Sequence, residues 1–269
     1  MSIGNRIKNA RKNINLTQEQ VADSLNISYQ AVSSWERDLS IPDVYNLIDL
    51  AKLFDVSVSH LIEEKPDFET DKIFYDYKHM KTYVQTYAKA HKLVNTLKAL
   101  PYAVQAHDGQ CLKRSDIPYI SHPLNMVCHL LAMNIDDDTI IAATLLHDVI
   151  EDCNKTIDDL PVDDEVRELV NLLSHEKVND SNRPKMLKEY YTNISNNPKA
   201  SLIKLVDRCN KLTKMSWGLS RERIFRTIKE TDIYILPLLD VIKNTEYDNA
   251  KWLLSYQINT TLDIYKRLL

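Results

Sequence analysis

Apolar residues return every three or four positions along most of the chain, the spacing that lays them on one face of a helix. Ile3, Ile7 and Ala10 predict a first helix, and Val21, Ala22 and Leu25 a second. Thr17-Gln18-Glu19-Gln20 has the form of a capping box that opens this second helix, with Thr17 capping and Gln20 reaching back. Asn26 and Ile27 make a turn, and Ser28 caps a third helix from Tyr29 to Glu36. Ser40-Ile41-Pro42-Asp43 breaks the pattern. Val44, Leu47, Ile48, Ala51 and Leu53 then form a fourth helix, and Val58, Leu61 and Ile62 a fifth. Polar and charged residues follow Pro66, so the pattern divides into a first domain at 1–64, a linker at 65–80 and a second domain at 81–269 built of longer amphipathic helices. One of these, Thr139 to Val149, is apolar almost all round and is expected to be buried.

Composition narrows this further. The 269 residues include three glycines, Gly4, Gly109 and Gly218, too few for a β-rich fold with many tight turns or for a glycine-rich phosphate loop. The expected fold class is all-α. Cys111, Cys128, Cys153 and Cys209 form no CxxC pair, and with no signal peptide they read as reduced thiols in a cytoplasmic protein. No apolar run approaches the roughly 18 residues of a membrane span, so no membrane partner is expected. Asp136-Asp137-Asp138 and Asp158-Asp159 fall where helices begin, where acids suit the helix dipole. The net charge of −4 gives no argument for nucleic-acid binding, which has to rest on a motif.

Chemistry-bearing residues interrupt the apolar pattern in three places. His147 and Asp148 end the buried helix, and Glu151, four residues after His147 and three after Asp148, is placed to share their helix face. Asp207 interrupts the apolar helix that begins at Ser201, where it could also pair with Arg208; His107 lies in "AVQAHDGQ". Buried groups of this kind are costly unless they are paired or bind metal. Together His107, His147, Asp148 and Asp207 offer two imidazoles and two carboxylates, a mixed nitrogen and oxygen set that suits Mn²⁺, Fe²⁺ or a similar divalent ion.

Two short helices joined by a tight turn form the helix-turn-helix pattern. The stretch from Leu16 to Ile62, with its "ISYQAVSSWERDLSIP" and "LAKLFDVSVSHLI" blocks, resembles the Cro/repressor-like DNA-binding domains. The resemblance implies that the third helix lies in the major groove. Gln30 and Ser33 would then face base edges, and Gln18, Ser34 and Arg37 would meet phosphates or flanking groups. Trp35 reads as core. DNA is the expected partner, bound by a homodimer on a symmetric site. This domain is net acidic, with 6 basic and 9 acidic residues between 1 and 64, so its affinity for phosphate backbone alone is expected to be weak.

Residues from about 80 to 269 resemble the HD hydrolase domain of the RelA/SpoT family in its small alarmone hydrolase form. The blocks that carry the resemblance are "AHDGQ", "PYISHPL", "AATLLHDVIED", "IKLVDRCNKL" and "KETDIYILPLL", in family order. The resemblance implies a helical bundle that removes the 3′-pyrophosphate of ppGpp or pppGpp with Mn²⁺. It implies that His107, His147, Asp148 and Asp207 hold the metal and that Glu151 and Asp152 handle the attacking water and its proton. Lys113, Arg114 and Arg208 would meet phosphate charge, and Tyr234 would lie along the base or ribose. His122 in "SHP" reads as structural. The sequence departs from the family at Lys211, where an Asn is usual, and at Leu112, where an Arg is usual; both positions bear on substrate recognition. Lys211 could reach a phosphate. Two other readings stay open: a nucleotide-sensing regulator with little turnover, and an HD phosphatase acting on an adenosine alarmone, NADPH or a pyrophosphorylated RNA end. No synthetase domain is expected.

Overall fold

The computed structural model describes residues 2–62, 76–112, 116–175, 182–215 and 220–269. Most of the expected linker, and Lys113 and Arg114, lie outside the described residues. The described chain is helical, with no strand beyond an isolated bridge between Cys111 and Pro118. It divides into two compact units. The first carries the N-terminal helices and the second most of the remainder, with Lys214–Thr227 grouping with the first. No helix among the described residues is long and apolar enough to cross a membrane.

The first unit contains α1 (Ile3–Asn13), α2 (Gln18–Leu25), α3 (Tyr29–Glu36), α4 (Val44–Phe54) and α5 (Val58–Ile62). Their apolar faces share a core that includes Ile7, Val21, Val32, Leu50, Phe54 and Leu61, each contributing about 1.5–3 kcal/mol by burial. Trp35 belongs to this core at 7% exposure. The expected caps are formed. Thr17 Oγ1 accepts from Gln20 N at 3.1 Å, and Gln20 Oε1 accepts from Thr17 N at 2.8 Å. Ser28 Oγ accepts from Ala31 N at 3.2 Å. Asn26 ends α2 at φ 53°, a left-handed conformation that asparagine tolerates.

Gly4 fixes the approach of α1 to α3. A β-carbon at this position would stand 2.2 Å from the Trp35 carbonyl oxygen and 2.8 Å from Asp38 Oδ1. The Gly4 N–H donates to that same Asp38 Oδ1 at 2.8 Å. Gly4→Ala is therefore expected to destabilise the protein by about 1–3 kcal/mol through overpacking. Urea unfolding checks this, and an unchanged midpoint would contradict it.

The second unit contains α6 (Tyr77–His91), α7 (Val94–Ala106), α8 (Ser121–Ala132), α9 (Asp138–Leu146), α10 (Val149–Asp152), α11 (Asp164–Leu173), α12 (Arg183–Ser195) and α13 (Pro198–Leu212). Later in the chain come α14 (Arg221–Glu230), most of which groups with the first unit, and then, in the second, a π-turn at Thr231–Ile235, α15 (Leu238–Val241) and α16 (Asp248–Leu268). Every residue of α9 from Thr139 to Leu146 is buried, as its all-round apolar pattern requires. Helices α7, α8, α11 and α13 pack on it. Asp137 caps α9 by accepting from Ile140 N at 2.9 Å. Asp138 serves a different helix: its carboxylate accepts from Asn95 N and Thr96 N, both at 2.8 Å, and so satisfies the open N-terminus of α7. Helix α13 starts at an Asn197 cap with Pro198 in its first turn, and is packed by α8, α12, α15 and α16. Among its buried polar positions are Ser201, Lys204 and Asp207.

Candidate functional site

The chain bends where α9 ends. His147 closes α9, Asp148 precedes the short α10, and the two sit in a turn rather than in a continuous helix. This differs from the single helix face expected for His147, Asp148 and Glu151. Adjacent residues on a regular helix do not face each other. The turn lets them do so: His147 Nε2 lies 2.9 Å from Asp148 Oδ2. It also directs Glu151 elsewhere, and its Oε1 accepts from His175 N at 3.0 Å.

Three buried ligand atoms converge within 4.8 Å of one another, from His122, His147 and Asp207. Metal–ligand bonds of about 2.0–2.2 Å place opposed ligands roughly 4.4 Å apart, so this group needs little closure to share one ion. His122 Nε2 is 3.1 Å from Asp207 Oδ1 and 3.7 Å from Asp148 Oδ2, which brings Asp148 into the same cluster. His122 Nε2, His147 Nε2 and Asp207 Oδ1 are buried and have no hydrogen-bond partner of acceptable geometry. Their other faces are committed. His147 Nδ1 bonds to the Thr144 carbonyl at 2.8 Å, one of the carbonyls left open at the end of α9, and His122 Nδ1 bonds to Asn210 Oδ1 at 2.7 Å. Both bonds require the ring proton on Nδ1, so both Nε2 atoms are acceptors aimed at the centre. Two imidazole lone pairs beside two carboxylates fit a divalent cation.

The electrostatics agree with this. Burial pushes the His122 pKa down, against the pull of Asp207 and Asp148. Burial also opposes charge on His147, but the Asp148 carboxylate outweighs it and raises that pKa. Burial alone would raise both aspartates, yet both lie well below the usual carboxylate range. His147 and Lys211 hold Asp148 there, and Lys211, with His122 close by, holds Asp207. Tyr119 donates to Asp148 Oδ2 at 2.5 Å; burial, then the Asp148 charge, raises its pKa and keeps it a donor.

The remaining site residues distribute around this centre. His107, expected among the ligands, stands one layer out. Its ring lies tilted against Tyr119 with 4.7 Å between centroids, and its Nδ1 bonds to Gln110 Oε1 at 2.8 Å. Gln110 Nε2 in turn donates to the Asp152 carbonyl at 3.1 Å, so His107 and Gln110 brace the end of α10. His122, expected to be structural, is the histidine whose nitrogen joins the cluster. Lys211 Nζ lies 2.9 Å from Asp207 Oδ2, and Arg208 turns away to Thr231 Oγ1 at 3.3 Å. The Lys211 side chain is 49% exposed, so water screens its ion pair. Asp152 is exposed at the rim. Tyr234 stacks on Tyr191 at 5.2 Å and lines a cleft of about 330 Å³ with Lys188 and Thr192. Sequence reasoning gives no role to Tyr119 or to the buried Lys204, whose ammonium sits 5.4 Å above the Tyr190 ring. A lysine and a hydroxyl inside otherwise apolar surroundings were the available signals.

Asn210 makes a direct prediction. Asn210→Ala removes the acceptor that orients His122, and divalent-metal affinity is expected to fall by about 10–100-fold, the usual effect of losing an outer-shell partner. Competition with a fluorescent chelator measures it, and an unchanged affinity would count against the orientation argument.

In the first unit, Gln30, Ser33, Ser34 and Arg37 stand at three- and four-residue spacing on the side of α3 opposite the buried Val32, Trp35 and Glu36. Gln30 and Arg37 are exposed. Ser34 Oγ pairs with Ser40 Oγ at 2.8 Å. Gln18 is held differently, its Nε2 donating to Glu36 Oε2 at 2.7 Å.

Comparison with known proteins places these two units. A family model described as helix-turn-helix matches residues 7–61, and one described as HD domain matches residues 99–234, half of the chain. The chain belongs to the HD-domain family. Its N-terminal unit is a helix-turn-helix domain of the matched kind. Among similar proteins, a probable GTP pyrophosphokinase of Mycobacterium leprae is 33% identical over 146 residues, covering 52% of this chain and 18% of that protein. The bifunctional (p)ppGpp synthase/hydrolase SpoT of Escherichia coli K12 is 38% identical over 86 residues, covering 32% of this chain and 12% of that protein. A GTP pyrophosphokinase rsh of Brucella ovis is 37% identical over 151 residues, covering 51% and 19%. The HD-domain chain thus spans less than a fifth of the length of these relatives.

Proposed function

We propose that the second unit is a metal-dependent phosphohydrolase that removes the 3′-pyrophosphate of a (p)ppGpp-like nucleotide, and that the first unit binds DNA as part of a homodimer. The observation that carries the hydrolase reading is the convergence of His122 Nε2, His147 Nε2 and Asp207 Oδ1 as buried atoms without hydrogen-bond partners, with Asp148 beside them. The similarity to SpoT supports the substrate class.

His122, His147, Asp148 and Asp207 would hold the metal, Mn²⁺ being the ion suited to this mixed set. When bound, such an ion acidifies water and offsets phosphate charge. The protein does the rest. Asn210 and the Thr144 carbonyl fix the two imidazoles, and Tyr119 fixes Asp148. Asp152 at the rim accepts the proton of the attacking water, while Glu151 keeps α10 tied to the His175 backbone. Lys211, anchored on Asp207 and half exposed, presents its ammonium to the phosphates, together with Lys113 and Arg114. Tyr234 offers a stacking face for the base. A substrate panel with Mn²⁺ tests the assignment: ppGpp is expected to be turned over faster than an adenosine alarmone, NADPH or a pyrophosphorylated RNA end. Faster turnover of any of these would replace the proposed substrate.

Lys211 favours a second reading. A resident cation 2.9 Å from Asp207 suits a pocket that binds nucleotide with little turnover and biases the DNA-binding unit. DNA affinity that changes on saturation with nucleotide supports it, and unchanged affinity rejects it.

A further inference from the structure

On the far side of Asn210 from the His122 cluster, the second unit holds a cleft of about 700 Å³ bordered by α8, α13 and α16. That volume falls within the roughly 300–1,000 Å³ of small-molecule sites. Asn125, Asn210 and Gln257 line it with amides, Thr213 and Thr260 with hydroxyls, and Tyr256 with a ring. Among the described residues that line it there is no Lys, Arg, Asp or Glu, so a phosphate or carboxylate would find no counter-charge there.

Two further observations point to a hydrogen-bonding occupant. His129 Nε2 and Gln257 Oε1 are buried beside each other at the cleft, and the bond between them is not well formed, so both keep hydrogen-bonding capacity. Burial pushes the His129 pKa down, against the raising effect of that bond with Gln257. Tyr256 is 59% exposed, and its ring is held parallel to Trp252 at 5.8 Å with 7° between the planes, forming a flat platform at the cleft edge.

We propose that this cleft binds an uncharged nucleobase or nucleoside, stacked on Tyr256 and hydrogen-bonded to the surrounding amides and hydroxyls. Bases carry a π-face and an edge of alternating donors and acceptors, which asparagine and glutamine amides match and aromatic rings stack upon. A purely apolar ligand would leave the amides unpaired. Asn210 is shared with the neighbouring centre, since its Oδ1 also accepts from His122 Nδ1. The assignment does not depend on what that centre binds.

Isothermal titration of the full chain, free of divalent metal, with adenosine, guanosine, cytidine and uridine tests it, because none of these carries a phosphate. At least one is expected to bind with a Kd below about 1 mM. Tyr256→Ala and Thr260→Trp alter exposed positions and are expected to fold; each should weaken binding by about tenfold or more, the first by removing the platform and the second by filling the cleft. Asp148→Ala should leave binding intact, and a failure of the metal reading would not change these titrations. No binding by any of the four nucleosides overturns the proposal. So does binding that Asp148→Ala abolishes while Thr260→Trp leaves it unchanged.

Discussion

Replacing His122 with alanine is expected to lower divalent-metal affinity by about 100-fold or more, beyond the roughly 10–100-fold typical of an outer-shell residue. His107→Ala is expected to leave the affinity within a few-fold of the starting value. The contrast follows from position. His122 Nε2 stands 3.1 Å from Asp207 Oδ1 and is fixed from behind by Asn210, whereas His107 bonds through its Nδ1 to Gln110 and packs against the Tyr119 ring. Equilibrium dialysis with Mn²⁺ reads both variants, with circular dichroism as the folding check. His122→Gln offers a milder change should the alanine variant unfold. Metal lost with His107→Ala and kept with His122→Ala would reverse the assignment.

The second large effect concerns the helix-turn-helix unit. Glu36→Ala is expected to destabilise it by about 3–5 kcal/mol, the cost of leaving a buried partner charge uncompensated. Glu36 Oε1 accepts from Arg11 Nε at 2.5 Å and its Oε2 from Arg11 at 2.9 Å, and both side chains are largely buried. Gln18 also donates to this carboxylate, and Arg11 donates to the Leu16 carbonyl at 2.6 Å, so one acid ties together α1, α2 and α3. The double variant Arg11→Met with Glu36→Met should recover much of the loss, because a paired replacement leaves no orphaned charge. Thermal unfolding measures both. A Glu36→Ala protein as stable as the parent would show that the pair contributes little.

Much of the fold was legible because its signals are local. The capping box at Thr17, the Ser28 cap and the all-round apolar run of α9 each occupy a few consecutive residues and need no tertiary context. The expected core role of Trp35 was legible from helical spacing. The site was legible in its residue types and less so in its arrangement. No glycine or proline marks the bend between Leu146 and Val149, so a continuous helix was the natural reading, and Glu151 was placed beside His147. The two histidines flanking Tyr119 look alike in sequence. What separates them is the contact of His122 with Asn210, 88 residues further along the chain, and such a contact depends on how α8 packs on α13. Lys211 was legible as a departure from the family pattern, but its pairing with Asp207 follows from their four-residue spacing on α13.

The most direct measurement is pyrophosphate release from the purified full chain incubated with ppGpp, with and without Mn²⁺, beside Asp148→Ala. Asp148 touches His147 and Tyr119 at the heart of the cluster, so its loss removes a proposed ligand and the group that faces both histidines. The account predicts release that requires both Mn²⁺ and Asp148. Release that continues without metal, or undiminished in Asp148→Ala, would contradict it.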